Sequence, residues 1–462
     1  MTTSNSTLRS SPSPIHAGAK TASGPRGLPL IGNTIGIQRD PLGVFLEGAR
    51  QCGPVVHYRF VVWHVYTVNH PDGAKRILQD NNRNYNKDVF DYSLLKGLLG
   101  NGLLTSDGES WLRQRRLMQP AFHRQRIAGF AALMTDETET MLAGWEGLRK
   151  NGDLLDVSAA MMRLTLRIVC RALFSTDIER EEDIIGAAFT EVNRRITNYS
   201  YFPFPPLFVP TPGNRKIVAS SRALRQIVDG IVSRRRQDSI DHDDLLSMLL
   251  HAQDADTGER MSDQQVSDEV ITLLLAGHET TSNALSWTRY LLAQHPEAEA
   301  KLHDELDSVL GGRLPTMDDL ERLPYNRMVI EEALRLYPPA WVVSRNAIAE
   351  DEICGYRVPA HAYVLLLPYT VHRHPDFWEH PDTFDPERFT PERSAVRPRY
   401  AYFPFGGGPR QCIGNTFAMT EAQLILATIA QRYRLSLAPD HEVGTEPLIT
   451  LRPRNGILVN IL

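Results

Sequence analysis

Residues 403–419 read FPFGGGPRQCIGNTFAM, a single cysteine, Cys412, set between a glycine triplet and the apparent start of a helix. The stretch is no Walker loop, because no GK[ST] follows. It is no GxGxxG fingerprint either, because Gln411 takes the last glycine position. A cysteine nucleophile needs a histidine base and an oxyanion site, and nothing near it supplies them. Two readings stand: a small buried core cysteine, or a metal thiolate. A sulfur at a helix N-terminus sees free N–H groups and the positive end of the dipole, Arg410 adds positive charge, and both favour the thiolate. Glycines let the backbone pass close to a flat cofactor and aim N–H groups at the sulfur.

The rest of the chain sets the frame. With 462 residues, net charge -5 and 42% hydrophobic content, it can bury a large core, and its mild acidity draws it to neither nucleic acid nor anionic membrane. The four cysteines are far apart with no CxxC, which argues against a disulfide framework or structural zinc site and for a reducing compartment. Residues 1–25, rich in Ser, Thr, Pro and Ala, lack the apolar core of a signal peptide and read as a disordered tail. No run approaches the ~20 apolar residues that span a bilayer. The expectation is a soluble, cytoplasmic protein whose residues 26–462 form one domain. Residues 55–70 are rich in Val and aromatics and read as a two-stranded ribbon. From about 70 to 340 the period is helical, and 353–369 resembles a hairpin. The fold class expected is mainly α, with a minor β-sheet region. Residues 198–214, NYSYFPFPPLFVPTPGN, are aromatic and proline-rich, fitting either a buried loop or a flexible apolar lid.

The longest periodic segment runs from Ser262, which with Gln265 fits a capping box, to a stop at Pro296. At ~1.5 Å per residue it is nearly 50 Å long. AGHETT, residues 276–281, interrupts its apolar middle. Gly277 lowers helix propensity, and Thr280 and Thr281 can bond back to carbonyls and bend the ladder. HETTS is not a zinc-protease HExxH, because Ser282 stands where the second histidine belongs. A kinked core helix with a solvated Glu279 fits these residues. So does an acid beside an alcohol that delivers protons one at a time in a low-polarity cleft. In VIEEALRLYPP, Glu332 and Arg335 share a helical face. They form either a surface pair of little value or, given apolar flanks, a buried one that Arg388 of PERF could join.

Together these motifs resemble the cytochrome P450 superfamily. FGGGPRQCIG is similar to its haem-binding signature at Phe405, Gly408, Arg410, Cys412 and Gly414. AGHETT is similar to its oxygen-activation segment, EALR to its ExxR motif, PERF to the third ionic partner, and GESWLRQRRLMQPAF to a propionate-binding helix. The motifs occur in the family's order. The resemblance covers about residues 26–462 and implies a P450-like helical domain carrying haem b (iron protoporphyrin IX). It implies Cys412 as axial iron ligand and Thr280 with Glu279 as the acid–alcohol pair. Trp111, Arg115, Arg345 and Arg410 become haem-propionate partners, Arg345 only from its place six residues after Pro339. Glu332, Arg335 and Arg388 become a structural ionic triad, and His278 faces away from the iron.

The implied reaction is monooxygenation. One oxygen atom of dioxygen enters a C–H or C=C bond while two electrons and two protons carry the other away as water. With 50 residues left after Cys412, no flavin or iron–sulfur domain is expected, so electrons come from a ferredoxin or flavodoxin with its reductase. Arg113, Arg115, Arg116, His123, Arg124 and Arg126 form either a solvated face or its docking patch. Phe90, Tyr92, Leu273, Ala276, Val342, Val343 and the 198–214 segment fit a pocket for a terpenoid, fatty acid or polyketide, or else plain core. Without a membrane anchor the chain looks like a soluble bacterial member with a role in secondary metabolism. Other classes are a haem-thiolate isomerase, dehydratase or peroxygenase that needs no redox partner, and a haem sensor. The retained Glu279 and Thr280 argue against both.

Overall fold

The helix capped at Ser262 is the axis around which the chain packs. In a computed structural model, which describes residues 18–61, 63–201, 205–238, 240, 242, 244–253 and 258–462, it spans Asp263–Gln294. Ser262 accepts a hydrogen bond from the Gln265 amide. Pro296 opens the next helix, Pro296–Leu310, so one proline marks both a stop and a start. Between residues 266 and 292, only Ala276, Gly277, Thr280 and Tyr290 are not buried. A helix buried nearly all round, polar residues included, has to be enclosed by its neighbours, which must also satisfy those polar groups. This one is wrapped by helices Val157–Phe174, Pro212–Gln237, Pro324–Leu336 and Asn415–Ala430.

Among the described residues, seventeen α-helices stand against thirteen strands of two to six residues, the mainly α domain with minor sheets that the periodicity predicts. The ribbon is present: Val55–Phe60 pairs antiparallel with Trp63–Val68, and the five-stranded sheet continues through Tyr363–Leu366, Val343–Ala347 and Tyr85–Asn86. The register Arg345↔Val364 fixes where Arg345 points. Part of the 353–369 expectation is a true hairpin. Asp351–Ile353 turns back into Tyr356–Val358 through Cys354 and Gly355, both at positive φ.

Within the stretch expected to be tail, Lys20–Thr21 pairs in parallel with Tyr356–Arg357 and Ala22 is buried; residues 1–17 lie outside the described residues. The 198–214 segment begins as the last turn of helix Glu182–Tyr201, and residues 202–204 lie outside the described residues. The remainder is a braced corner. Tyr199 donates to Asn214 Oδ1 at 2.8 Å, and Asn214 Nδ2 donates to the carbonyls of Pro206 (2.8 Å) and Val209 (2.9 Å). Phe208, 86% exposed, shows that the corner is not a buried loop throughout.

Candidate active site

The Cys412 loop enters helix Asn415–Ala430 through Gly414, its N-cap. The Cys412 amide donates to the carbonyl of Phe405 at 2.9 Å, closing the loop on itself. Gly408 has φ +63, and a Cβ there would come within 1.8 Å of the Leu78 carbonyl oxygen. That glycine is required by neighbouring backbone, not by a cofactor. Cys412 borders a cavity of about 230 Å³ with Arg115, Gln119, Phe122, His123 and Asn415. Its surface is open to that cavity. Burial pushes the thiol up, opposed by the Gly414 N–H and the Arg115 charge. A bound metal ion is what deprotonates such a sulfur.

Beside this loop lies a knot of positive charge. Arg410 pairs with Asp107, the N-cap of helix Gly108–Met118, and stacks over Trp111 at 4.2 Å. Arg115 of that helix donates to the Gln411 carbonyl at 2.7 Å. Arg345, buried on its strand, donates to the Ser344 carbonyl at 2.7 Å. Lys87, which the sequence does not single out, donates to the Leu104 carbonyl at 2.7 Å. Burial, then Arg345 and Arg410, push its ammonium well below the usual lysine range. Arg410 Nη1 is buried without a hydrogen-bond partner. Several cations crowded together with a donor left over call for additional anions.

On the central helix, Thr280 Oγ1 donates to the Ala276 carbonyl at 2.6 Å. Glu279 is 2% exposed and turns another way, its Oε1 accepting from Asn193 and Thr450. Consecutive helical residues do not face each other, so acid and alcohol are not in direct contact. The helix stays regular across AGHETT. Gly277 lets Val169 approach, since a Cβ would lie 2.9 Å from Val169 Cγ2. The Thr165 hydroxyl donates to the His278 carbonyl at 2.9 Å. The His278 ring donates to the Leu274 carbonyl and packs against Phe189, on the side of helices Val157–Phe174 and Glu182–Tyr201.

Glu332 and Arg335 are fully buried, and Arg388 Nε lies 3.3 Å from Glu332 Oε1. The substrate-pocket set disperses. Ala276 is open to space and Leu273 is buried, while Val342 and Val343 are half-buried. Phe90 stacks on Trp63 at 5.7 Å, and Tyr92 lies beneath Lys87 at 5.3 Å, so Tyr92 belongs with the cation knot. In the basic patch, Arg113 pairs with Glu259 and Arg124 with Glu321, so part of its charge is neutralised.

Open space therefore meets the middle of an otherwise buried helix at Ala276 and Thr280, a cysteine faces a cavity, and surplus cations wait nearby. Such a set of residues fits a protein class that holds an anionic cofactor beside a thiol loop. Residues 22–460 match the cytochrome P450 family. Cyclooctatin synthase of Streptomyces melanosporofaciens is 41% identical over 436 residues, 92% of each chain. Cyclooctat-9-en-7-ol 5-monooxygenase of the same species is 40% identical, covering 91% of this chain and 90% of that one. Pentalenene oxygenase of Streptomyces avermitilis is 35% identical, covering 92% and 94%. The haem domain of cytochrome P450DA superposes with TM-score 0.87 at 30% identity, over 96% of this chain and 97% of that one. The chain belongs to the cytochrome P450 family and is a monooxygenase with a haem cofactor, a lipophilic substrate and an external source of electrons. Haem fits the residues present, because its two propionates are the anions that the unpartnered Arg410 donor and its neighbours require. No described helix is long and apolar enough to cross a membrane.

Proposed function

We propose that the chain inserts one oxygen atom of dioxygen into a terpenoid, using haem b and electrons from a ferredoxin or flavodoxin with its reductase. The observation that carries this reading is that Ala276 is exposed and Thr280 partly so in an otherwise buried stretch of the central helix, next to the buried Glu279. Relatives named for oxidising cyclooctat-9-en-7-ol and pentalenene support the substrate class. When bound, haem supplies dioxygen activation. Cys412 would hold its iron, and Trp111, Arg115, Arg345, Arg410 and Lys87 its propionates. Thr280 would orient a proton toward the cavity by rotating its hydroxyl from the Ala276 carbonyl, with Glu279 as the proton source. The apolar turns around Leu273 and Ala276 keep stray water from the reacting carbon.

The test is product formation from polycyclic terpenes with NADPH, with and without a surrogate ferredoxin and its reductase. Product only with the electron chain supports the reading; product without it places the chain among the partner-independent classes. In Thr280→Ala, electron consumption should continue while product falls, and unchanged coupling removes Thr280 from the mechanism. Cys412→Ser should abolish the thiolate-type Soret shift of the reduced carbon monoxide complex, and a retained shift sinks the ligand assignment.

A further inference from the structure

The Glu279 carboxyl has an asymmetric environment. Oε1 accepts two hydrogen bonds, from Asn193 Nδ2 and from Thr450 Oγ1 at 2.6 Å, while Oε2 is buried with no partner. The donors are themselves held. Thr450 Oγ1 accepts from Asn283 Nδ2 at 3.2 Å, and Asn193 Oδ1 accepts from the Ile449 amide at 2.9 Å. Three segments distant in sequence thus meet at one carboxyl: helix Glu182–Tyr201, the central helix, and the turn between strands Gly444–Pro447 and Leu451–Arg454. Both donors are neutral. The charged and titratable groups around it are Arg452, which attracts it from the last of these strands, and His278, whose ring is engaged with Leu274. Arg194, on the helix of Asn193, pairs with Glu446 at 3.9 Å. Burial outweighs these attractions and pushes the Glu279 carboxyl above the usual range.

A carboxylic acid accepts preferentially at its carbonyl oxygen and carries its proton on the other. We propose that Asn193 and Thr450 are positioning residues for Glu279: by occupying Oε1 from two sides, they confine the acid proton to Oε2, the oxygen left to pass it on. The proposal rests on Glu279 being the proton source. The step moves one proton and no electrons. The Oε2–H bond breaks, the proton passes to a water or hydroxyl on the Thr280 side, and solvent water later returns one. In the interval, the two donors on Oε1 hold the negative charge, when such bonds are strongest. Helix Glu182–Tyr201 and the 448–450 turn thereby set the state of a proton donor that neither carries.

Infrared spectroscopy of the purified protein reads this without turnover. A protonated-carboxyl C=O band that disappears in Glu279→Gln is the Glu279 band. In Thr450→Val that band should move to higher wavenumber, because the carbonyl oxygen loses a donor, and Thr450→Ser should return it. Asn193→Leu makes the same test from the helix side should the turn variant fold poorly. In turnover, Thr450→Val should lower product per electron pair by about tenfold, the effect of one charge-assisted hydrogen bond. Its alkaline limb should move to higher pH, since the lost donor favoured the ionised form, and Thr450→Ser should restore both. A wild-type carboxyl already ionised at neutral pH, or a band unmoved in both variants, overturns the positioning. A moved band with wild-type coupling in Glu279→Gln instead overturns the proton-source reading on which the proposal rests.

Discussion

Arg335 meets Glu332 in a bidentate pair, Nε to Oε2 and Nη2 to Oε1 each at 2.7 Å, with both side chains at 0% exposure. The remaining donors of the guanidinium reach the carbonyls of His372, Pro381 and Thr383, so one side chain ties helix Pro324–Leu336 to two loops that precede the Cys412 segment. Arg335→Ala removes the bidentate partner of a fully buried carboxylate, leaving it the Asp385 amide and Arg388, and takes a donor from three carbonyls. It should cost about 3–5 kcal/mol, read as a lowered urea midpoint before any haem is added. Arg388→Ala, whose Nε lies 3.3 Å from the same carboxylate, should cost less. Equal losses would mean that Arg388 is the main partner of Glu332.

Lys87 should separate stability from cofactor retention. Without haem its charge is buried beside Arg345 and Arg410, and it is the haem propionates that would compensate it. Lys87→Met should therefore raise the thermal midpoint of the haem-free chain while weakening haem retention by about tenfold, about 1.4 kcal/mol. Thermal scans with and without haem measure both. A lowered haem-free midpoint would show that the Leu104 hydrogen bond outweighs the repulsion.

His278 makes stability depend on pH. Burial pushes its ring down to about 4, while the unfolded residue titrates near 6.5. Between those values the unfolded chain binds the extra proton, so stability is full above pH 6.5 and falls as the pH drops towards 4. The loss amounts to about 3 kcal/mol from this residue. Urea unfolding across that window should show the slope, and His278→Phe should flatten it. Equal slopes in the two proteins would mean that the ring titrates normally.

Electron delivery should depend on the patch around helix Gly108–Met118. Charge reversal at Arg116 and Arg124 should slow reduction by a surrogate ferredoxin and weaken the salt dependence of that rate. Because Arg124 pairs with Glu321, Glu321→Gln should speed reduction at low salt. Rates and salt dependence untouched by the reversals would place docking elsewhere.

The motifs that carry chemistry were legible because each is local: a cysteine at a fixed offset from its glycines, an acid beside an alcohol, a Glu and an Arg one turn apart. The capped central helix and the 55–70 ribbon followed from period alone. Lys87 was not legible, since a lone lysine in YNKDVFDY carries no pattern. Asn193 and Thr450 were invisible for a related reason: they lie 86 and 171 positions from Glu279, and no periodicity spans such separations. The place of Tyr92 under Lys87 was not legible either, since the two are five positions apart in a segment without a regular polar pattern.

By itself, then, the sequence determined the fold class, the enclosed central helix and the residue types at the site, because burial patterns and motif spacing act over a few turns of chain. Tertiary structure alone decided the direction of each polar side chain. It turned Glu279 to Asn193 and Thr450 rather than to its neighbour Thr280, and it buried Lys87 beside Arg345 and Arg410. The physical reason is the same in both cases. The cost of burying a charge is set by every segment packed around it, and most of those segments are remote in sequence.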